Sequence, residues 1–86
     1  MARILVEATY DPPLSETVIQ AALEDPNPDC YTSRRVKWLR SFVSRDRKRT
    51  ICELEAPDAD SVREAYRLAG HPFDKVWAAE ILEPHL

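Results

Sequence analysis

The sequence predicts an α+β domain in which a four-stranded antiparallel sheet carries two helices on one face. Three observations predict it. "RRVKWLRSFVSRDRKRTICELEA", residues 34–56, reads as two strands folded back around a basic turn. "PDADSVREAYRLAGHP", residues 57–72, is a helix with a stop signal at each end. "RILVEAT" near the start and "FDKVWAAEIL" near the end read as two further strands, so that each helical stretch lies between strands.

In the first strand, residues 3–9, Ile4, Val6 and Ala8 alternate toward a core and leave Leu5 and Glu7 on the other face. Pro12 and Pro13 end the strand because neither can donate to a ladder. Ser15 is a helix N-cap, and Leu14 and Ile19 have hydrophobic-staple spacing. Val18, Ile19, Ala22 and Leu23 form the expected buried stripe of that helix. "EDPNPD" interrupts it, and a short helical piece around Cys30 and Tyr31 follows.

A hairpin with loop 45–48, or with a two-residue loop at Asp46 and Arg47, pairs Leu39 with Leu54, Ser41 with Cys52 and Val43 with Thr50. This mostly apolar or small set is expected under the helices. In the following helix Asp58 is the N-cap, and Val62, Ala65, Tyr66 and Ala69 recur at helical spacing. Gly70, the one glycine, stands where a left-handed residue ends a helix, and Pro72 prevents continuation. The order β-α-β-β-α-β is the ferredoxin-like pattern, expected to fill residues 1–86 as a single domain. Right-handed crossovers place the first and third strands in the centre and leave one sheet face bare.

Alternation sends Trp38, Arg40 and Phe42 to that bare face, opposite Glu55, Glu53 and Ile51. On the last strand Trp77, Ala79 and Ile81 suit the helix side, which adds Glu80 to the bare face; the opposite facing suits the sequence almost as well. The candidate ligand pocket is therefore Glu7, Trp38, Arg40, Glu53, Glu55 and Glu80. A face mixing aromatics with glutamates fits a semi-enclosed chamber, and a homodimer formed through the open sheet face would create one. A plain dimer interface with cross-strand ion pairs is the simpler reading of the same residues.

Composition excludes several classes. A net charge of −3 and glutamates on a central strand argue against a nucleic-acid partner, whether duplex or single-stranded RNA. The N-terminal apolar run stops at Glu7, and no run approaches the ~20 residues of a membrane span, so a soluble cytoplasmic protein with no membrane partner is expected. Cys30 and Cys52, with no CxxC or Cys/His cluster, read as reduced thiols.

"VKWLRSFVS", "ICELEAPDADSVREAYRLAG" and "PFDKVWAAEILEP", with "ILVEATY" at the start, resemble a widespread bacterial family of small ferredoxin-like domains of unknown function. Some of its members are described as nickel-binding. Glu7, Trp38, Arg40, Ser41, Cys52, Glu55, Arg63 and Trp77 match positions expected in that family, whereas "EDPNPDCYTSRR" departs from it by extra prolines. The resemblance implies a dimeric α+β barrel, with nickel or another divalent cation as a cofactor.

Nickel takes imidazole nitrogen and carboxylate oxygen, which makes Glu7, Glu55 and His71 the metal-ligand candidates; His85 is penultimate in the chain. The alternative to a ligand- or metal-binding domain is a small dimeric barrel enzyme of the monooxygenase or isomerase type. It would use Glu7 or Glu55 as general base. No cofactor fingerprint or nucleophile–base motif accompanies either reading.

Overall fold

The computed structural model describes residues 1–85. Four strands and three helices follow in the order β1 (Ala2–Thr9), α1 (Glu16–Glu24), α2 (Asp29–Thr32), β2 (Lys37–Val43), β3 (Arg49–Ala56), α3 (Ala59–Ala69) and β4 (Lys75–Ala79). All neighbouring strands are antiparallel, and their spatial order is β2-β3-β1-β4. The first and third strands are central, as the ferredoxin-like pattern predicts.

The core lies between one sheet face and helices α2 and α3. Ile4, Val6, Leu54 and Val62 are fully enclosed there, with Ala56, Ala65, Tyr31, Tyr66, Val36 and Val76 around them. The rings of Tyr31 and Tyr66 stack with centroids 6.0 Å apart. Burial pushes both phenols up from their ordinary pKa of 10, so each stays protonated and able to donate.

Helix α3 begins and ends where its sequence dictates. The Asp58 carboxylate accepts from the Ser61 backbone N–H at 2.8 Å, and that bond holds its pKa below the ordinary aspartate value. Gly70 closes the helix at φ 72°, with its N–H and that of His71 returning to the carbonyls of Arg67 and Tyr66. A Cβ at Gly70 would meet nothing within 4 Å, so the backbone angle alone sets the cost of replacing it. Gly70→Ala is expected to destabilise by about 1 kcal/mol in denaturant unfolding.

Three features differ from the expectations above. Helix α1 forms from its Ser15 cap, but none of its residues is buried: Val18 is 54% exposed and Leu23 55%. The two helices on the sheet are α2 and α3, with Tyr31 filling the place expected for the α1 stripe. Prolines on both sides of α1 interrupt the chain, and its recorded ties run to the hairpin: Leu14 N–H to the Arg47 carbonyl at 2.9 Å, and Arg47 to Glu16 at 3.1 Å.

The second difference is a β-bulge on edge strand β2. The expected pairing holds from Val43–Thr50 through Arg40–Glu53, but the next pair is Trp38–Leu54. Leu39 is the extra residue, and one extra residue reverses the facing of everything before it. The third difference is the facing of β4. Val76 pairs with buried Val6 and is itself buried, which turns Trp77 and Ala79 to the open face.

Candidate functional site

The open face of the sheet is built from alternate residues of all four strands. Leu5 on β1, Ile51 on β3, Phe42 on β2, and Trp77 with Ala79 on β4 make an apolar centre. Phe42, Ile51 and Trp77 are exposed there. The chain after β4 adds to this face. Glu80, Ile81 and Glu83 border a hollow of about 350 Å³ whose other walls include Arg3, Arg40, Phe42 and Glu53.

The ion pairs of this face converge on Glu53. Arg3 sits opposite Glu55 and diagonal to Glu53, and its guanidinium donates to the Glu53 carboxylate. Arg40 approaches the other oxygen of Glu53 through Nε at 3.4 Å. Glu53 is 13% exposed between the two arginines, whereas Arg40 is 64% exposed. Glu7 accepts from the Trp77 indole N–H at 3.0 Å and is the cross-strand neighbour of Lys75. Glu55 has Lys37 across from it on β2.

Four of the six expected pocket residues, Glu7, Arg40, Glu53 and Glu55, lie on the open face. Glu80 reaches the hollow from beyond the end of β4 and not by strand alternation. Trp38 is a correction. The bulge turns it to the helix side, where it packs against the core and donates its indole N–H to Ser41 Oγ at 2.8 Å. Ser41 in turn meets Cys52 Sγ at 2.9 Å. Both cysteines are free thiols, half-buried.

The three metal-ligand candidates are not brought together. Glu7 pairs with Ile51, four residues along β3 from Glu55, which separates the two backbones by roughly 13 Å. His71 is on the opposite side of the sheet, edge-on to Tyr66 and Tyr31 with ring centroids 5.5 and 6.4 Å away. Partial burial pulls its pKa below the ordinary 6.5. Among the described residues no three His, Cys, Asp or Glu side chains group as a metal site. One chain by itself therefore does not fit a nickel ion.

Two site residues escaped the sequence reading. Arg3 carries the expected alternation, since Ile4, Val6 and Ala8 face the core, and its diagonal relation to Glu53 follows once the strand pairing is known. Trp77 is expected on the helix side, and the structure puts it on the open face; a strand with apolar residues on both faces gives alternation little to decide with. Arg63, another family-like position, is structural: it donates to the carbonyl of Val76 on the edge strand at 2.8 Å.

Among the described residues no helix is long and apolar enough to cross a membrane. The fold is similar to that of a solved structure described as SCO4226 from Streptomyces coelicolor A3(2), with a TM-score of 0.79. The two chains are 16% identical over 95% of this chain and 100% of that one, a likeness of fold alone. Curated protein sequences give no match. The sequence pattern of the family described as nickel responsive protein SCO4226-like matches residues 5–78. The chain thus belongs to the SCO4226-like nickel responsive protein family.

Proposed function

We propose that the protein is a homodimeric binding domain that pairs its open sheet faces and holds a small ligand or a divalent cation between them. One observation carries this reading: among the described residues no helix covers the sheet face whose apolar centre is Leu5, Phe42, Ile51 and Trp77. Face-to-face pairing would enclose the hollow and bury that centre. A small domain gains disproportionately from such burial.

Family membership supports nickel as the ligand to try first. Because one chain lacks a donor set, the metal reading requires donors pooled from two copies, with Glu7 of one set against Glu55 of the other. Nickel would then bridge the subunits as a charge-neutralising ion.

Calorimetric titration of the protein with nickel tests this. Saturable binding is expected, weakened at least about tenfold by Glu7→Gln with Glu55→Gln and unchanged by His71→Ala on the far side of the sheet. Absence of saturable binding, or binding lost with His71 but kept without the two glutamates, would contradict the metal assignment. The proposed dimer would then remain as an enclosure for a small organic ligand.

A further inference from the structure

Among the described residues no side chain of α1 is buried, and the flanks of its apolar arc stand in solvent. Val18, Ile19, Ala22 and Leu23 share one side of the helix at helical spacing, yet Val18 and Leu23 are more than half exposed. Exposing such an arc forgoes the burial from which a surface helix draws most of its stability. Beside it, an open hollow of about 450 Å³ lies between Ile19 of α1 and Val43 of the hairpin, with Arg45 and Arg47 on its rim.

Charge divides sharply across this surface. Residues 10–33 contain Asp11, Glu16, Glu24, Asp25 and Asp29 and no lysine or arginine. The neighbouring segment 44–49 contains Arg45, Arg47, Lys48 and Arg49 against a single Asp46. Within the chain the ion pair recorded between the two segments is Glu16 with Arg47. Glu24 and Asp25 at the far end of the helix, and Arg45 and Lys48 at the turn, are exposed.

Two complementary patches side by side on one surface meet the condition for an isologous contact, in which each copy offers both halves. A twofold axis between them lays the acidic helix of each copy over the basic hairpin of the other. Val18 and Leu23 then enter the hollow, and Glu24 and Asp25 face the turn arginines. We propose that α1 is a docking helix for the β2–β3 hairpin of a second copy of this chain. This surface is separate from the open sheet face and uses none of its residues. A protein using both interfaces closes or extends beyond a dimer.

Sedimentation velocity at high micromolar concentration and low salt tests it. The unaltered chain is expected to reach a species of about 40 kDa, four times the 9.9 kDa chain. Val18→Asp with Leu23→Asp should halve that mass, and Arg45→Glu alone should shift it in the same direction. Raised salt should weaken the contact, because its rim is exposed charge. No α1 residue is buried, so the variants keep their fold, and circular dichroism checks this.

Ile51→Asp separates the two interfaces: it should remove only the sheet-face contact and leave a dimer that Val18→Asp with Leu23→Asp then dissolves. The same mass distribution for the unaltered chain and the Val18→Asp, Leu23→Asp variant would overturn the proposal, whatever becomes of the sheet-face dimer.

Discussion

Replacing Leu54 by alanine is expected to cost about 3 kcal/mol of folding stability, a large share of what a domain of this size has. Leu54 is fully enclosed, sits on a central strand and pairs with Ile4 on β1 and Trp38 on β2. Truncation loses the transfer energy of the side chain and leaves a cavity that two sheet neighbours and α3 cannot easily close. The margin is thin because a chain of 86 residues buries a smaller fraction of its surface than a larger domain. Denaturant unfolding measures the effect. A midpoint close to that of the unaltered chain would mean that the core is not organised around β3.

The second large effect is expected at Glu53. Its carboxylate stands between Arg3 and Arg40 and is the least exposed of the three groups. Glu53→Ala removes the carboxylate that both guanidinium groups face, one of them half-buried with only its cross-strand neighbour Glu55 near, and is expected to cost roughly 1–3 kcal/mol. Arg3→Ala should cost more than Arg40→Ala, because Arg40 is largely in solvent and its contact is long. An exposed pair of that kind is worth less than ~1 kcal/mol. Equal costs for the two arginines, read from unfolding curves, would show that burial does not rank these contacts.

Much of this architecture can be read from the sequence because the signals are local. Asp58 and Gly70 fix the two ends of α3 through backbone chemistry that involves only neighbouring residues. The hairpin register from Val43–Thr50 to Arg40–Glu53 follows from the turn and from alternation, and those pairs form. The bulge at Leu39 gives no such signal. An apolar residue continues the alternation on paper, and residues 37–43 contain no glycine or proline to mark the irregularity. Its consequence is that Trp38 leaves the candidate site for the core.

The facing of β4 was ambiguous for a different reason. Val76 and Ala78 on one side and Trp77 and Ala79 on the other are all apolar, so periodicity cannot choose. The pairing of Val76 with Val6 decides it. For α1, the amphipathic pattern of Val18, Ile19, Ala22 and Leu23 predicts a buried stripe, and the structure leaves all four unburied. Periodicity says which side of a helix avoids water, and the tether determines which surface it can reach. Here prolines at 12, 13, 26 and 28 bound the helix, and Leu14 and Glu16 tie it to the hairpin. Arg3 was legible in principle, since its side of the strand was known. Its partnership with Glu53 required the β1–β3 register, which depends on the whole sheet.

The central claim is that the open sheet face is an interface that encloses the site. Sedimentation equilibrium at micromolar concentration tests it most directly, using a chain that carries Val18→Asp and Leu23→Asp so that α1 cannot contribute. The proposed dimer gives a mass of about 20 kDa, twice the 9.9 kDa chain. Adding Ile51→Asp, which sets a charge in the apolar centre of the face, should return it to a monomer of about 10 kDa. A monomer before that substitution, or a dimer that survives it, would contradict the claim.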